Sequence, residues 1–377
     1  MGKAAEAGRL GKRVIVGMSG GVDSSVAAGL LLEQGFEVIG VTLNVWPELS
    51  ASEAMTRDDA CCALGSVEDA RRVADQLGIR HYVLNFREVF EERVIRNFVD
   101  EYRRGRTPNP CIRCNQYIKF EALWQRVAGL GADFIATGHY ARVGYDAARK
   151  RYTLCKGSDP RKDQSYVLYP LSQATLAHTL FPLGDLSKEE TRALATSWRL
   201  PVAAKAESQE ICFVPNNDYV SFLRSRCADL PGSGPIYDQE GRYLGNHHGI
   251  ARYTVGQRRG LGLAGACRRF VIEIDPAANA LVVGEERHLY VGGLVAEDVN
   301  WVSIEQPSGP IEVTAKVRYR ATETPAVVFP LPDGRAEVRF SEPQRAITPG
   351  QAVVFYEGDL VVAGGTIARP IPLAAGS

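Results

Sequence analysis

Two stretches of this chain carry residue types that can do covalent chemistry. The first is Ser19-Gly20-Gly21-Val22-Asp23-Ser24-Ser25. Adjacent glycines let backbone N–H groups come close to a polyanion, and a helix starting there adds about half a positive charge. Ser19, Ser24 and Ser25 supply hydroxyl donors, and Asp23 is a hard oxygen ligand able to hold Mg²⁺ across phosphates. The loop is neither G-x-x-x-x-G-K-[ST] nor G-x-G-x-x-G, so it is neither of those phosphate sites.

The second stretch is Thr107-Pro108-Asn109-Pro110-Cys111-Ile112-Arg113-Cys114-Asn115, with a further thiol in Ser208-Gln209-Glu210-Ile211-Cys212-Phe213. The two prolines predict a loop without regular structure. Arg106, Arg113 and Lys119 are close enough in sequence to favour a thiolate. In a reducing compartment the C-x-x-C spacing reads as metal binding or redox chemistry rather than a structural staple. A closed zinc site wants four ligands, and no fourth is evident. Cys61, Cys62, Cys155, Cys227 and Cys267 read as small core hydrophobes.

The elements that must position these groups alternate in type. Val14 to Val16, Glu37 to Trp46, His81 to Phe86 and Asp133 to Gly138 read as buried strands. Between and after them Ser24 to Gln34, Ser66 to Gly78, Phe90 to Arg104, Ile118 to Leu130 and Ser187 to Arg199 read as helices. Ser66 with Asp69, and Ser187 with Glu190, have the spacing of capping boxes, and Gly78 marks a helix end. Such alternation predicts an α/β, doubly wound, Rossmann-like parallel sheet with ligands at the carboxyl ends of its strands. From about Asp218 the chain turns rich in Gly and Pro. After Val291 come short runs at Thr314 to Tyr319, Ala326 to Pro330, Glu337 to Phe340, Ala352 to Tyr356 and Leu360 to Gly364. Turns such as Pro332-Asp333-Gly334 and Glu357-Gly358-Asp359 separate them, which predicts a small antiparallel β-barrel. The expected division is 1–217, 218–290 and 291–377.

With 377 residues, 45% hydrophobic and 23% charged, the composition is that of an ordered multi-domain protein. No apolar run is long enough to span a bilayer, and the N-terminus has no secretory pattern, so the expected location is the cytoplasm. The 44 basic and 44 acidic residues cancel, so any nucleic-acid partner must be read from local charge. Between Arg103 and Lys119 stand Arg103, Arg104, Arg106, Arg113 and Lys119 with no acid. Between Arg142 and Lys162 seven basic residues face only Asp146 and Asp159. Taken alone, such runs read as solvated faces; beside the cysteines they read as a path for RNA.

The Ser19 to Ser24 loop resembles the pyrophosphate loop of the ATP pyrophosphatases. Several further stretches extend that likeness along the chain: Ala136-Thr137-Gly138-His139-Tyr140, Lys162-Asp163-Gln164-Ser165-Tyr166, Tyr253-Thr254-Val255-Gly256-Gln257-Arg258 and Ala346-Ile347-Thr348-Pro349-Gly350-Gln351. With the two cysteine stretches, in this order, they resemble the bacterial tRNA-specific 2-thiouridylases over essentially the whole length. The resemblance implies a pyrophosphatase domain, a small central domain and a C-terminal β-barrel. It implies ATP with Mg²⁺, bound by Gly17, Met18, Ser19, Gly20, Gly21, Val22, Asp23, Ser24, Leu43 and Gly138. It places Asn109, Pro110 and Cys111 at the target base, makes Cys114 the nucleophile and Cys212 the persulfide carrier, and allows a transient disulfide between those two. His139, Lys162, Asp163, Gln164, Arg318, Tyr319 and Gln351 are implied to touch tRNA.

The implied reaction adenylates O2 of the wobble uridine of tRNAs such as those for Lys, Glu and Gln. Persulfide sulfur, delivered to the monomeric enzyme by a cysteine desulfurase or a relay protein, then displaces AMP. An amide-like oxygen leaves poorly until it is adenylated, and a thiolate is the strongest side-chain nucleophile near neutral pH. Unstacked anticodon bases can be drawn into a pocket. The chain departs from the family at Cys111, where Asp is commoner. Cys111, Cys114 and Cys212 together are also the set that a [4Fe–4S] cluster with one open iron requires.

Overall fold

The computed structural model describes residues 11–46, 64–206, 211–227, 229–263 and 268–373. Cys61, Cys62, Cys267 and the Ser208 to Glu210 part of the Cys212 motif lie outside them. Two compact units are present. One comprises Met1–Val94, Cys111–Asn217 and Asp359–Val361, the other Ile95–Pro110, Asp218–Gly358 and Val362–Ser377. Among the described residues no helix is long and apolar enough to cross a membrane.

The first unit is built on β1 (Arg13–Gly17), β2 (Glu37–Asn44), β3 (Arg80–Asn85), β4 (Phe134–Ala136) and β7 (Thr179–Leu180), reached after the hairpin β5 (Ala141–Asp146) and β6 (Arg151–Lys156). The sheet runs β3-β2-β1-β4-β7 and every pairing is parallel. Chain order therefore reverses between β1 and β4, which opens a crevice at their carboxyl ends. Val14, Val16, Val26, Ala27, Leu31 and Val38 form its core with almost no exposure. Gly29 on the Val22–Glu33 helix is needed for packing, since a Cβ there would stand 2.5 Å from the Trp198 ring.

Two local expectations are corrected. The second helix spans Leu64–Leu77, so Ser66 lies inside it rather than capping it, although Gly78 does end it with φ +69. Asp69 instead takes Arg72 at 2.7 Å and Lys205 at 2.7 Å. Pro110 opens a helix, Pro110–Arg113, that continues as the wider π-helical Cys114–Ala122. A proline at the first helical position loses no hydrogen bond, so it starts a helix as readily as it breaks one. The Lys188–Ser197 helix carries the expected capping box of Ser187 and Glu190.

The second unit holds two β systems. The first is a sheet of β8 (Gly234–Tyr237), β9 (Tyr243–His247), β10 (Phe270–Asp275) and β11 (Ala280–Gly284), ordered β10-β11-β8-β9. The second comprises β12 (Tyr290–Trp301), β13 (Ile311–Lys316), β14 (Thr324–Pro330), β15 (Ala336–Arg345), β16 (Ala352–Glu357) and β17 (Leu360–Ile371). In the order β12-β15-β14-β13-β16-β17, with β12 pairing back to β17, it closes into a six-stranded antiparallel barrel. Leu294, Val328, Val338, Val353 and Phe355 fill it. Two glycines and two register shifts against β17 blur the alternation that would mark β12 in the sequence.

Candidate active site

The Ser19 to Ser25 loop leaves the carboxyl end of β1, at the crevice beside β4. Its shape is set from several sides. Met18 N–H donates to Val41 O at 2.8 Å and Met18 O accepts from Thr42 Oγ1 at 2.8 Å. Gly20 adopts φ +70, and a Cβ on it would lie 2.2 Å from the Ser66 carbonyl oxygen, so only glycine fits. Gly138, just past β4, abuts the backbone of Asp23 and Ser24; a Cβ there would come within 2.6 Å of both. Gly21 is less constrained, with only Ser19 Oγ at 3.4 Å from a Cβ. Leu43 stands half-buried near the end of β2.

The three serines divide their work differently from the expectation that all donate to a ligand. Ser24 and Ser25 are buried, and their hydroxyls donate to Gly21 O at 3.2 and 2.8 Å. Ser19 N–H donates to Ser24 Oγ at 3.1 Å, while Ser19 itself is exposed. Local hydrogen bonding of this kind, with Ser19 Oγ also 3.3 Å from Ser24 Oγ, holds the N-terminal turn of the helix and leaves its N–H groups to an anion.

Asp23 is where sequence reasoning fell short. Its Oδ1 accepts from the Tyr140 hydroxyl at 2.9 Å and from Lys188 Nζ at 2.6 Å. The aspartate side chain is 32% exposed and the lysine 8%. Both contacts fall on Oδ1, so the hard, partly exposed carboxylate keeps Oδ2 for a divalent cation, and the residues present fit Mg²⁺. Lys205 Nζ donates to Gly20 O at 3.1 Å and pairs with Asp69. Neither lysine was singled out from the sequence. The available signal was Lys188 itself, an ammonium in the first turn of a helix where acids are favoured.

Cys111 is exposed, and Cys114 and Cys212 are half-buried. Both thiol-bearing segments rest on the Arg87–Phe90 helix. The Cys114–Ala122 π-helix packs against it, and Phe213 meets Phe90 edge-on with centroids 5.6 Å apart. Asn115 Nδ2 donates to Val167 O at 3.2 Å, and Arg93 lies over the Tyr117 ring. Among the described residues no group of three His, Cys, Asp or Glu is close enough to hold a metal ion. The three cysteines are thus not gathered as cluster ligands.

Arg106, expected to favour a thiolate, is committed elsewhere: Nε lies 2.8 Å from Glu101 and Nη2 2.6 Å from Glu297. Asn109 is half-buried and Pro110 buried, and both fall in the second unit with Arg106. Of the positions tied to tRNA by resemblance, His139 is buried with Nδ1 2.7 Å from Thr137 Oγ1. Burial, and then the Lys119 charge, hold its pKa well below the ordinary range. Asp163 is buried and accepts from Gly157 N–H, Ser165 N–H and Ser165 Oγ, while Gln164 Oε1 accepts from Tyr140 N–H. Lys162 is half-buried in the same turn. In the second unit Arg318 donates to the Arg345 and Ala346 carbonyls, Tyr319 is exposed, and Gln351 Nε2 donates to Thr107 O at 2.7 Å.

A doubly wound sheet whose first turn is a glycine-serine anion loop defines a nucleotide-handling α/β domain. The family model described as "tRNA methyl transferase HUP domain" matches residues 12–216. Its "PRC-barrel domain" counterpart matches 221–285, and an "Aminomethyltransferase beta-barrel domain" matches 291–367. The curated "tRNA-specific 2-thiouridylase MnmA" of Pelotomaculum thermopropionicum is 54% identical over 355 residues, covering 94% of this chain and 97% of that one. The protein of the same name from Geotalea uraniireducens is 54% identical with 96% of each covered, and that from Acetivibrio thermocellus 51% with 94% and 99%. The chain belongs to the tRNA-specific 2-thiouridylase family.

Proposed function

We propose that this chain replaces O2 of the wobble uridine (U34) of tRNA with sulfur at the expense of ATP. The observation that carries the reading is the anion loop at the β1–β4 crevice in the same compact unit as Cys114 and Cys212. Gly17 to Ser24, Leu43 and Gly138 hold ATP, whose α-phosphorus is attacked by O2 of the base as pyrophosphate leaves. When bound, Mg²⁺ offsets phosphate charge at Asp23. Asn109, Pro110 and Cys111 face the base. The terminal sulfur of a Cys212 persulfide attacks C2 and expels AMP. The Cys114 thiolate attacks the Cys212 sulfur, breaking the S–S bond, so the new thiocarbonyl keeps one sulfur and a Cys114–Cys212 disulfide remains for the donor's thiols to reduce.

In this reading 1–217 performs catalysis, while 218–290 and 291–377 bind tRNA and contribute Arg318, Tyr319 and Gln351. His139, Asp163 and Gln164 shape the tRNA surface from beneath, with Lys162 beside them. The enzyme acts as a cytoplasmic monomer served by a cysteine desulfurase or a sulfur-relay protein. The test is incubation with ATP, a persulfide donor and tRNAs for Lys, Glu or Gln, followed by mass spectrometry of the nucleosides. The expected product is 2-thiouridine, formed with one AMP per sulfur. A methylated uridine, or AMP release independent of tRNA, would refute the proposal.

A further inference from the structure

We infer that Lys188 is a positioning residue for Asp23, and that its ammonium stands beside the phosphate loop as a fixed counter-charge. The inference rests on the ATP reading above and goes beyond it in assigning a residue outside the loop. An ammonium in the first turn of a helix opposes the helix dipole, and burying it costs solvation. Both costs are incurred here: Lys188 opens the Lys188–Ser197 helix and its side chain is 8% exposed. What offsets them is Asp23 Oδ1 at 2.6 Å, with the Tyr140 ring 5.8 Å away and the Tyr140 hydroxyl on the same oxygen.

The lysine is also well anchored. Ser187 and Glu190 cap its helix, and the buried Asp159 accepts Lys188 N–H at 3.2 Å while its other oxygen takes Arg161 N–H at 3.0 Å. Tyr140 is fixed in turn by Gln164 at its N–H and by Thr191, 3.0 Å from its hydroxyl. Both partners of Asp23 are thus held by the turn from Asp159 to Gln164, which contains the Lys162 to Gln164 positions proposed to meet tRNA.

The consequence is electrostatic. With Lys188 in place, Asp23 faces the triphosphate as half of a neutral pair; without it, the carboxylate repels the polyanion until Mg²⁺ supplies the missing charge. Equilibrium binding of ATP, with no turnover, is measured with and without Mg²⁺ for the native chain, Lys188→Met, Lys188→Arg, Asp23→Asn and Asp23→Asn/Lys188→Met, alongside thermal unfolding. Lys188→Met is expected to weaken metal-free ATP binding by about tenfold or more and Mg²⁺-ATP binding much less. The double variant, neutral again, recovers metal-free binding, and Lys188→Arg stays near native. If Lys188→Met fails to fold, the same charge logic requires Asp23→Asn to bind metal-free ATP more tightly than Asp23→Asn/Lys188→Met. Equal losses with and without Mg²⁺, or unchanged binding, would mean that Lys188 only holds the fold together. Absence of ATP binding by the native chain would instead bring down the reading of the loop, and this inference with it.

Discussion

Around the phosphate loop the polar contacts are already made: Gly21 O accepts two hydroxyls and a backbone N–H, Gly20 O accepts once, and Asp23 Oδ1 twice. The cysteines are held differently. Cys114 begins a π-helix, Cys212 lies about a hundred residues further on, and what their two segments share is packing against the Arg87–Phe90 helix. A polyphosphate is a fixed shape, so its site can be prebuilt from backbone. Sulfur transfer passes through several sulfur species, and its thiols need access rather than a rigid cage.

The strongest way to break this contrast is to move the loop's backbone. Gly20→Ala forces a residue into φ +70 with a Cβ 2.2 Å from Ser66 O. Gly138→Ala drives a Cβ into the Asp23–Ser24 backbone. Each is expected to abolish ATP binding and to lower stability by about 1–3 kcal/mol. Gly21→Ala, whose Cβ would meet only Ser19 Oγ at 3.4 Å, should keep most of both. Calorimetric ATP binding and thermal unfolding decide; equal tolerance at all three positions would show that the loop is not prebuilt.

Substitution of the thiols should act on one reaction only. Cys114→Ser and Cys212→Ser are expected to cut tRNA thiolation by about a thousandfold or more while ATP binding stays native. Cys111→Asp should retain substantial activity with a persulfide donor in aerobically purified protein. Iron counting after anaerobic reconstitution supplies the control. Thiolation that needs iron, and disappears in Cys111→Asp, would mean that the cysteines assemble as ligands after all.

The sequence made the loop legible because its logic is local: strand, two glycines, serines, helix. The alternation of elements likewise predicted the parallel sheet, and the short runs predicted the barrel. What could not be read depends on partners far along the chain. Counting charges between Arg103 and Lys119 found no acid, yet Arg106 pairs with Glu297, 191 residues away, and Arg103 with Asp229. Arg142 likewise finds Asp359 and Arg161 finds Glu189. Part of each basic run is therefore neutralised by the fold. Lys188 and Tyr140 were missed for the same reason, since Asp23 lies 165 and 117 residues from them. Ser66 matched a cap by spacing alone, but the helix runs past it, and Pro110 could begin a helix as well as interrupt one.

A smaller effect separates the two regions by pH. His139, held neutral mainly by burial and then by Lys119, has its pKa well below the ordinary 6.5. Below pH 6.5 the unfolded chain takes up a proton that the folded protein refuses, so this residue's stability contribution is complete above 6.5 and declines as the pH falls. The slope approaches about 1.4 kcal/mol per pH unit down to the folded-state pKa. Denaturant unfolding from pH 7 to pH 5 should show a steeper slope in the native chain than in His139→Asn, the difference being this residue's share, since His81 and His247 are also lowered by burial and contribute to both. Identical slopes would mean that the imidazole protonates in place.

The finest distinction lies between two cations that the sequence treated as equivalent tRNA contacts. Arg318 already donates to the carbonyls of Arg345 and Ala346, and Ala346 sits at φ +53, a conformation that needs support outside glycine. Lys162 lies half-buried in the Asp159 to Gln164 turn, and its backbone N–H, not its ammonium, is what donates to Asp159 O at 3.0 Å. Neutralising each should therefore read out differently. Lys162→Met is expected to reduce the slope of log affinity for tRNA against log salt by about one phosphate's worth, with thermal stability nearly native. Arg318→Met should instead lower thermal stability by about 1 kcal/mol, the cost of losing its hydrogen bonds to the Arg345 and Ala346 carbonyls, the second of which keeps Thr348 Oγ1 as a donor at 2.9 Å, and should change the salt slope less. Metal-free ATP binding should hardly move in either. A flat response of the salt slope to Lys162→Met would leave the second basic run as a solvated face. A reduced slope in Arg318→Met at native stability would show that its guanidinium serves RNA before it serves the barrel.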